Sequence, residues 1–380
     1  MRKEQSQWTD VAGWTNGNEA APLGPAAQIA FIFGSPETLQ ASECFERARS
    51  QYPNAHLVGC STAGEILGTT VTQNSVAMTA LAFDGARVAA TSARLTSVDD
   101  SRAAGEALGR SLPHEGLTHA FVLLDALGVN ASELLRGLSA SLPRGTPVSG
   151  GCAADGDRFE HTWVWCDFEP TQSAAVAVGF YGEHLKIHTA ATGAWGPFGP
   201  DRLVTKSKGN ILYELDGRSA LSLYKTYLGE HAAQLPVSGL LFPLMMHRPG
   251  SEHCMLRAPM GVIEADQAII CAGEVPEGWY ARLMRGTVER LLEGARDVAS
   301  VATRGLNGAT PDFALVVSCN GRRHVLKQRI EEEIEVVEEV FGVETTLTGF
   351  YSHGEIAPLV GGEGAELHNE TLTITAFCEN

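Results

Sequence analysis

The run GFYSHGEIAP, from Gly349 to Pro358, and the run LHNETLTITAF, from Leu367 to Phe377, organise the rest of the chain. Alternating apolar and polar residues predict one strand just before Gly349 and another over 371–378. Between these strands lie the hydrogen-bonding side chains of Tyr351, Ser352, His353, Glu355, His368 and Asn369. Such a mixture beside the turn that Gly354 permits is typical of a pocket rim, and a polar loop is the alternative interpretation.

The same turn recurs along the sequence, which favours the pocket. Gly-Glu-Ile follows a predicted strand in LVGCSTAGEI (57–66) and in LTGFYSHGEI (347–356). A third strand end, VSGGCAADGD (148–157), has the same glycines, a cysteine that matches Cys60, and Asp157 in place of the glutamate. Each turn closes a predicted β-α-β segment. The sequence therefore predicts an α/β fold of repeated β-α-β-β units that form mixed sheets layered with helices.

Two further elements follow from local patterns. Asp84-Gly85 joins two alternating runs, 76–83 and 88–95, and this predicts a β-hairpin. Apolar residues at helical intervals over 280–301 predict one long helix.

The length of 380 residues exceeds what one hydrophobic core usually supports, so we expect two domains or one large repeated architecture. The Gly- and Pro-rich stretch TGAWGPFGPDRL (192–203) marks the boundary between them. The predicted division is an N-terminal arm over 1–25, a first domain over 26–205 and a second over 206–380. Trp8 and Trp14 in the arm predict that it packs on the body, because indoles are costly to leave in water.

Composition excludes several classes of partner. The chain has 28 Lys and Arg against 45 Asp and Glu, a formal charge of −17, which repels nucleic acids and anionic membrane surfaces. No stretch approaches the twenty apolar residues that a membrane-spanning helix needs, and the start lacks an apolar signal core. The eight cysteines lack paired zinc or redox spacing. We expect a cytoplasmic protein with mostly buried thiols, no nucleic-acid partner and no membrane insertion.

Four motifs, in order, resemble the FIST family of bacterial sensory proteins, which pair an N-terminal and a C-terminal FIST domain. They are GCSTAGEI (59–66), LYELDGRSALSLYKTYLG (212–229), SCNGRRHVLKQRIEEEI (318–334) and the terminal pair of runs. The resemblance implies a signal-input protein without catalytic activity, which binds a small ligand and regulates a separate histidine kinase, diguanylate cyclase or phosphodiesterase. Some members sense nitric oxide through haem, so haem b is an alternative cofactor, with His353 or His368 as the axial residue.

The carboxyl ends of neighbouring strands meet at one edge of an α/β sheet, so we expect the three turns to form a ligand crevice. The candidate ligand-binding residues are Cys60, Ser61, Thr62, Glu65, Cys152, Asp155, Arg322, Arg323, Tyr351, His353, Glu355, His368 and Asn369. Arg322 and Arg323 have the fork geometry that holds a carboxylate, so an amino acid or similar metabolite is the expected ligand. Alternatively, Glu65 and Glu355 bind their own turns, and one arginine pairs with the Glu-rich helix after it.

A second alternative is a hydrolase that uses Cys60 as its nucleophile. The usual motifs for acyl, metal, phosphoryl and hydride chemistry are not found in the sequence, and a buried thiol is the favoured state of Cys60. No histidine pair has the spacing of a zinc site. The sequence therefore predicts a binding protein without a catalytic residue or metal ligand.

Overall fold

The computed structural model describes residues 1–16, 22–250, 254–359 and 364–379. The strands in this part of the chain are β1 (Arg2–Thr9), β2 (Gly13–Asn16), β3 (Ile29–Gly34), β4 (His56–Ser61), β5 (Glu65–Leu67), β6 (Thr70–Thr72), β7 (Ser75–Ala82), β8 (Arg87–Arg94), β9 (Leu117–Leu124), β10 (Val148–Cys152), β11 (Val164–Cys166), β12 (Ala174–Tyr181), β13 (Leu185–Thr192), β14 (Gly196–Lys208), β15 (Ile211–Leu215), β16 (Arg218–Ser219), β17 (Leu244–His247), β18 (Cys254–Arg257), β19 (Pro259–Ile263), β20 (Ala268–Cys271), β21 (Tyr280–Arg285), β22 (Phe313–Cys319), β23 (Thr346–Ser352), β24 (Gly354–Pro358), β25 (Ala365–His368) and β26 (Leu372–Glu379). The α-helices are α1 (Pro36–Ala41), α2 (Cys44–Gln51), α3 (Ser101–Ser111), α4 (Ala131–Ser141), α5 (Ala220–Leu228), α6 (Val288–Gly305), α7 (Asn320–Leu326) and α8 (Ile330–Phe341).

Three β-α-β units share one plan, as the repeat predicts. In each unit two parallel strands lie beside an antiparallel third, in the orders β4-β3-β7, β10-β9-β12 and β23-β22-β26. Equivalent glycines fix the alignment, because a Cβ at Gly59, Gly150 or Gly349 would lie 1.8, 1.9 or 1.7 Å from a carbonyl oxygen of the neighbouring strand. The alignment pairs Cys152 with Ser61. The predicted match to Cys60 is wrong by one residue, because β10 carries a second glycine after Gly150.

The units exchange strands in a cycle. After its turn, each chain segment leaves its own unit: β5 pairs with β23, β24 with β10, and β11 with β4. The outer strands complete three six-stranded sheets, in the orders β11-β4-β3-β7-β1-β2, β25-β24-β10-β9-β12-β8 and β13-β26-β22-β23-β5-β6. Each sheet is therefore built from more than one unit.

Two element predictions are wrong. The strands on either side of Asp84-Gly85 do not form a hairpin, because β7 pairs with β1 and β3 whereas β8 pairs with β12 in another sheet. The predicted helix over 280–301 is a strand, β21, followed by α6. Thr287 separates them, since its side chain accepts a hydrogen bond from the Arg290 N–H and caps the helix.

An aromatic cluster fills the space between the three sheets. Phe31, Phe121 and Phe313 come from the first strands of the three units and are fully buried. The ring of Phe31 lies 5.9 Å from that of Phe121 and 6.3 Å from that of Phe313. Helices α1 and α2, α3 and α4, and α6 and α8 cover the outer faces of the sheets. The central cluster therefore has helix layers around it, in an α/β architecture.

Residues 196–285 form an insert between β13 and α6. Its eight-stranded sheet has the order β18-β17-β21-β14-β15-β20-β19, with β16 beside β15, and α5 packs on it. The predicted boundary at 205/206 falls inside β14. Trp8 and Trp14 of the arm pack against the cluster beneath the first sheet, which confirms that the arm lies on the body; residues 17–21 of the arm lie outside the described residues. In the described part of the chain, none of the helices has the length and apolar content to span a bilayer.

Candidate functional site

The turns of the three units meet at one end of the molecule. Three backbone hydrogen bonds link them in a ring, from Ala154 N to Ser61 O (2.8 Å), from Ala63 N to Tyr351 O (2.9 Å) and from His353 N to Cys152 O (3.4 Å). Donors and acceptors occupy equivalent positions in the three units. The ring therefore brings the strand ends together around a pseudo-threefold axis.

Two buried glutamates hold the turns in place. Glu65 Oε1 accepts from Thr62 Oγ1 at 2.6 Å, and its Oε2 accepts from Ser75 N at 3.3 Å and Ser75 Oγ at 2.7 Å. Glu355 repeats this pattern with Ser352 Oγ (2.5 Å), Thr371 N (3.0 Å) and Thr371 Oγ1 (2.9 Å). Burial raises the pKa of each glutamate to about 7. Each glutamate therefore binds its own turn. This confirms the alternative interpretation of Glu65 and Glu355, in which their carboxyls hold the turns and not a ligand.

Asp125 takes this role in the second unit, and sequence reasoning missed it. It is buried, and it accepts from Ser173 N at 2.5 Å, from Leu127 N at 3.1 Å and from the Thr162 hydroxyl. The second unit has no Gly-Glu-Ile turn, because eleven residues lie between β10 and β11. The available signal was an aspartate directly after the predicted strand 121–124.

Asp155 organises the loop of the second turn. Its carboxylate accepts from the N–H groups of Phe159 (3.0 Å), Glu160 (2.8 Å) and His161 (2.9 Å). Three such bonds satisfy most of the acceptor capacity of a carboxylate. Asp155 therefore stabilises this loop, which forms one wall of a surface cleft.

Cys60 and its neighbours lie in the protein interior. Cys60 is fully buried in the central aromatic cluster, and burial raises the pKa of its thiol well above the ordinary value. Burial also raises the pKa of Cys152. A nucleophilic cysteine needs an accessible thiolate, and the buried thiol of Cys60 does not provide one. Ser61 Oγ accepts from Trp163 N at 2.9 Å and ties the first turn to the second.

Arg322 and Tyr351 belong to a buried ion-pair cluster. Arg322 is 0% exposed and donates to Glu333 Oε1 through Nε (2.9 Å) and Nη2 (2.6 Å), and to Gly193 O through Nη1 (2.7 Å). The Tyr351 hydroxyl donates to Glu333 Oε2 at 3.0 Å. The expectation that Arg322 holds a ligand carboxylate is wrong, because its guanidinium pairs with Glu333 of the Glu-rich helix α8. Tyr351 is likewise committed to this cluster.

A small cavity lies between the third turn and the insert, and we call it the acceptor cavity. It has about 260 Å³ of empty volume, and it is lined by Phe159, Leu240, Ala258, Met260, Ala272, Cys319, Asn320, Gly321, Ser352, His353, Asn369 and Glu370. The four residues from 240 to 272 come from the insert. The cavity therefore combines polar groups of the body with apolar groups of the insert.

Hydrogen-bond acceptors without donors define this cavity. Both carboxyl oxygens of Glu370, Oδ1 of Asn369 and Nδ1 of His353 are buried and find no hydrogen-bond partner among the described residues. The His353 ring stacks on Phe159 with centroids 4.1 Å apart, and its Nε2 lies 2.9 Å from Gly156 O. Nε2 must donate to that carbonyl, so Nδ1 of the neutral ring is an acceptor. Burial lowers the pKa of His353, which favours this neutral form.

Glu370 sits on strained backbone. Its φ of 60° lies in the left-handed region, as do those of the equivalent Asn74 (56°) and Ser173 (47°). Asparagine tolerates this region well, whereas glutamate rarely adopts it. A Cβ at Gly321 would lie 2.2 Å from the Glu370 carboxyl, so only glycine leaves room for that group. Strained residues cluster at functional sites, and sequence reasoning missed Glu370.

Haem does not fit the acceptor cavity. Of its empty volume of about 260 Å³, only about 10 Å³ is open to a water-sized group, far below the roughly 300–1,000 Å³ that larger organic ligands occupy. His368 lies on β25 opposite Glu355 and does not line the cavity. Elsewhere in the described chain, no three His, Cys, Asp or Glu side chains are placed to hold a metal ion.

A larger cleft, which we call the turn cleft, opens between the first and second turns. It has about 580 Å³ of empty volume and is lined by Ser35, Thr62, Ala63, Gly64, Glu65, Gln73, Asn74, Asp155, Gly156, Asp157, Arg158 and Arg323. The predicted site residues thus divide into three groups. Thr62, Glu65, Asp155 and Arg323 line the turn cleft, His353 and Asn369 line the acceptor cavity, and the others lie in the core or on β25.

Comparison with known proteins confirms the resemblance of the motifs. The chain matches the FIST N domain over residues 28–218 and the FIST C domain over residues 220–358. It is also 27% identical over 341 residues to an uncharacterized protein of Methanocaldococcus jannaschii. That match covers 82% of this chain and 64% of the relative, so the chain spans less than two thirds of the relative's length. The chain therefore belongs to the FIST family, whose domains are sensory domains of signal transduction.

Proposed function

We propose that this protein senses a small metabolite with a protonated amine, such as an amino acid, and that the acceptor cavity binds the amine. The set of buried acceptors without donors carries the proposal. Each unsatisfied buried polar group costs about 1–3 kcal/mol. An ammonium group has three N–H donors and accepts nothing, so it matches the oxygens of Asn369 and Glu370 and Nδ1 of His353.

The charge of Glu370 supports a cationic ligand. Burial raises the pKa of its carboxyl well above the ordinary value, which favours its protonated form when no cation is bound. A bound ammonium stabilises the carboxylate, so binding releases this proton. No lysine or arginine lines the described walls of the cavity, and its apolar walls include Leu240, Ala258 and Met260. The space of about 10 Å³ that is open in the cavity suits a group of the size of an ammonium, so the amine is the recognised part of the ligand.

The position of the cavity suggests how binding becomes a signal. One wall belongs to the insert, and His353 reaches the loop of the second turn through Gly156 O. A ligand that binds one arrangement of these walls more tightly shifts the population toward it. The changed surface would act on a histidine kinase, diguanylate cyclase or phosphodiesterase, without catalysis by this chain. The eight cysteines form no disulfide among the described residues, which suits the reducing cytoplasm.

The test compares amino acids with their decarboxylated amines by thermal shift and calorimetry. We expect both classes to stabilise the protein, because the amine dominates recognition. Glu370→Gln keeps the size but removes the charge, and we expect it to weaken binding by roughly tenfold or more.

The matched control is Glu264→Gln, the same change at an exposed residue that pairs with Lys225. It should leave affinity unchanged. The proposal fails if no amine stabilises the native protein, or if Glu370→Gln binds as well as the native protein. A Soret band in the purified protein would instead favour the haem sensor.

A further inference from the structure

The turn cleft continues into a second depression, and together they form a long groove. The second depression has about 960 Å³ of empty volume and is lined by Val71, Gln73, Asp157, Arg323, His324, Lys327 and Ile330. Gln73, Asp157 and Arg323 line both parts. Although the chain has a formal charge of −17, this groove gathers the side chains of Arg158, Arg323 and Lys327. The carboxyls of Glu65, Asp155 and Asp157 line the groove as well, so these cations attract an incoming anion only where a carboxylate gives way to it.

Asp157 lies at the centre of a cradle of donors. Its Oδ1 lies 2.9 Å from Arg323 Nη2, 2.8 Å from His324 Nε2 and 2.8 Å from Asn320 Nδ2. A guanidinium, an imidazole and an amide that converge on one oxygen form the type of site that binds a carboxylate or a phosphate. The Asp157 side chain is 47% exposed and lies in the irregular segment between β10 and β11. The carboxylate is therefore placed where an incoming anion can replace it.

Lys327 supplies a further positive charge. Its side chain is exposed in the groove, and it forms no ion pair within the described ranges. Its backbone has a φ of 53°, in the left-handed region that lysine seldom adopts. This backbone conformation sets the direction in which the Lys327 side chain leaves the backbone between α7 and α8.

We propose that the groove binds an oxyanion, the phosphate or carboxylate of a small metabolite, and that this group displaces Asp157 from Arg323, His324 and Asn320. Lys327 adds a second contact. Asp155 stays in place, because three backbone N–H groups hold it. Of the residues named for this site, Asn320 also lines the acceptor cavity, whereas Asp157, Arg323, His324 and Lys327 do not, and the proposal does not depend on amine binding.

The experiment measures binding of inorganic phosphate, pyrophosphate and succinate by calorimetry at neutral pH, which separates phosphate from carboxylate recognition. Asp157→Asn removes the competing charge, so we expect at least about fivefold tighter binding. Lys327→Gln should weaken binding at least about threefold. Because Lys327 has no ion-pair partner in the described chain, its loss should leave the thermal midpoint unchanged.

The control is Arg296→Gln, which removes an exposed arginine of α6 that pairs with Glu339 of α8, neither of which lines the groove. It should leave affinity unchanged. The proposal is overturned if none of the three anions binds the native protein or Asp157→Asn at millimolar concentration. It is also overturned if Lys327→Gln binds as tightly as the native protein. Either result would leave the amine proposal intact, because Glu370→Gln tests that separately.

Discussion

At the scale of single residues, Glu65 shows how burial and hydrogen bonding compete. Thr62 and Ser75 donate to its carboxyl, and these bonds favour the ionised form. Glu65 has no ion-pair partner among the described residues and is 1% exposed. Desolvation is the larger effect, and it raises the pKa to about 7. The group that holds the first turn is therefore also a proton-binding group near neutral pH.

This shift predicts a pH dependence of stability. The pKa of Glu65 rises from 4.5 in the unfolded chain to about 7 in the folded one, so the folded state holds an extra proton between these values. Its contribution to stability is present below pH 4.5 and is lost as the pH rises through about 7. We expect the stability of the native protein relative to Glu65→Gln to fall by on the order of 2–3 kcal/mol across this window. Urea unfolding across the window measures this difference.

Comparison with the variant is needed because buried histidines act in the opposite direction. Burial lowers the pKa of His119 to about 3, so its effect on stability rises with pH over part of the same window. The contribution of His119 is the same in the native protein and in Glu65→Gln, so it cancels when their free energies of unfolding are subtracted. For the control Glu264→Gln, at an exposed residue, the difference in free energy of unfolding from the native protein should not change with pH across this window. If the difference between the native protein and Glu65→Gln were also independent of pH, the Glu65 carboxyl of the folded protein would be ionised throughout the window, contrary to the prediction.

The sequence predicted that the three turns converge, which the structure confirms, but it named only some of the residues that line the proposed site. The turn motif led to His353 and Asn369, which line the acceptor cavity. It missed Glu370, the next residue, because a glutamate before a strand is normally exposed. Its burial depends on Gly321 and on the insert, which are distant in sequence. Local patterns report the identity of a side chain, whereas its burial is set by distant elements.

At the scale of elements, the close approach of parallel strands depends on one glycine per unit. A Cβ at Gly349 would lie 1.7 Å from the carbonyl oxygen of Val316 on β22. Backbone cannot move aside as a flexible side chain does, so Gly349→Ala should destabilise the protein by at least about 3 kcal/mol. Gly85→Ala is the matched control, because its Cβ would come no closer than 3.9 Å to the neighbouring Glu379 oxygen. Equal urea midpoints for the two variants would contradict the expectation.

The sequence predicted most strands and helices but not always their partners. The two runs beside Asp84-Gly85 are strands, as the alternating pattern indicates, but they join different sheets. A turn signal limits chain direction over a few residues and does not select the pairing of long strands. Over 280–301 the apolar spacing suited a helix, and the Thr287 cap that ends β21 and starts α6 was the overlooked signal.

At the scale of the whole molecule, strand exchange makes the three units interdependent. The repeat was readable in the sequence because each unit keeps its own periodicity. The exchange was not readable, because alternation shows which face of a strand is buried and not which sheet receives it. Strands β5 and β24 each cross to another unit, and β13 extends the third sheet. No cut in the chain between the first and third units leaves all their sheets complete.

This interdependence predicts the behaviour of fragments. Cutting at the predicted boundary of 205/206 separates β5 from β23, β10 from β24 and β13 from β26, and so exposes unpaired sheet edges. We expect residues 1–205 and 206–380, expressed alone, to unfold in urea without a cooperative transition. Co-expressed, they should associate one to one and unfold cooperatively, as should the intact chain, because every pairing is then restored. A cooperative transition in residues 1–205 alone would show that the first part of the chain folds without the strands it exchanges.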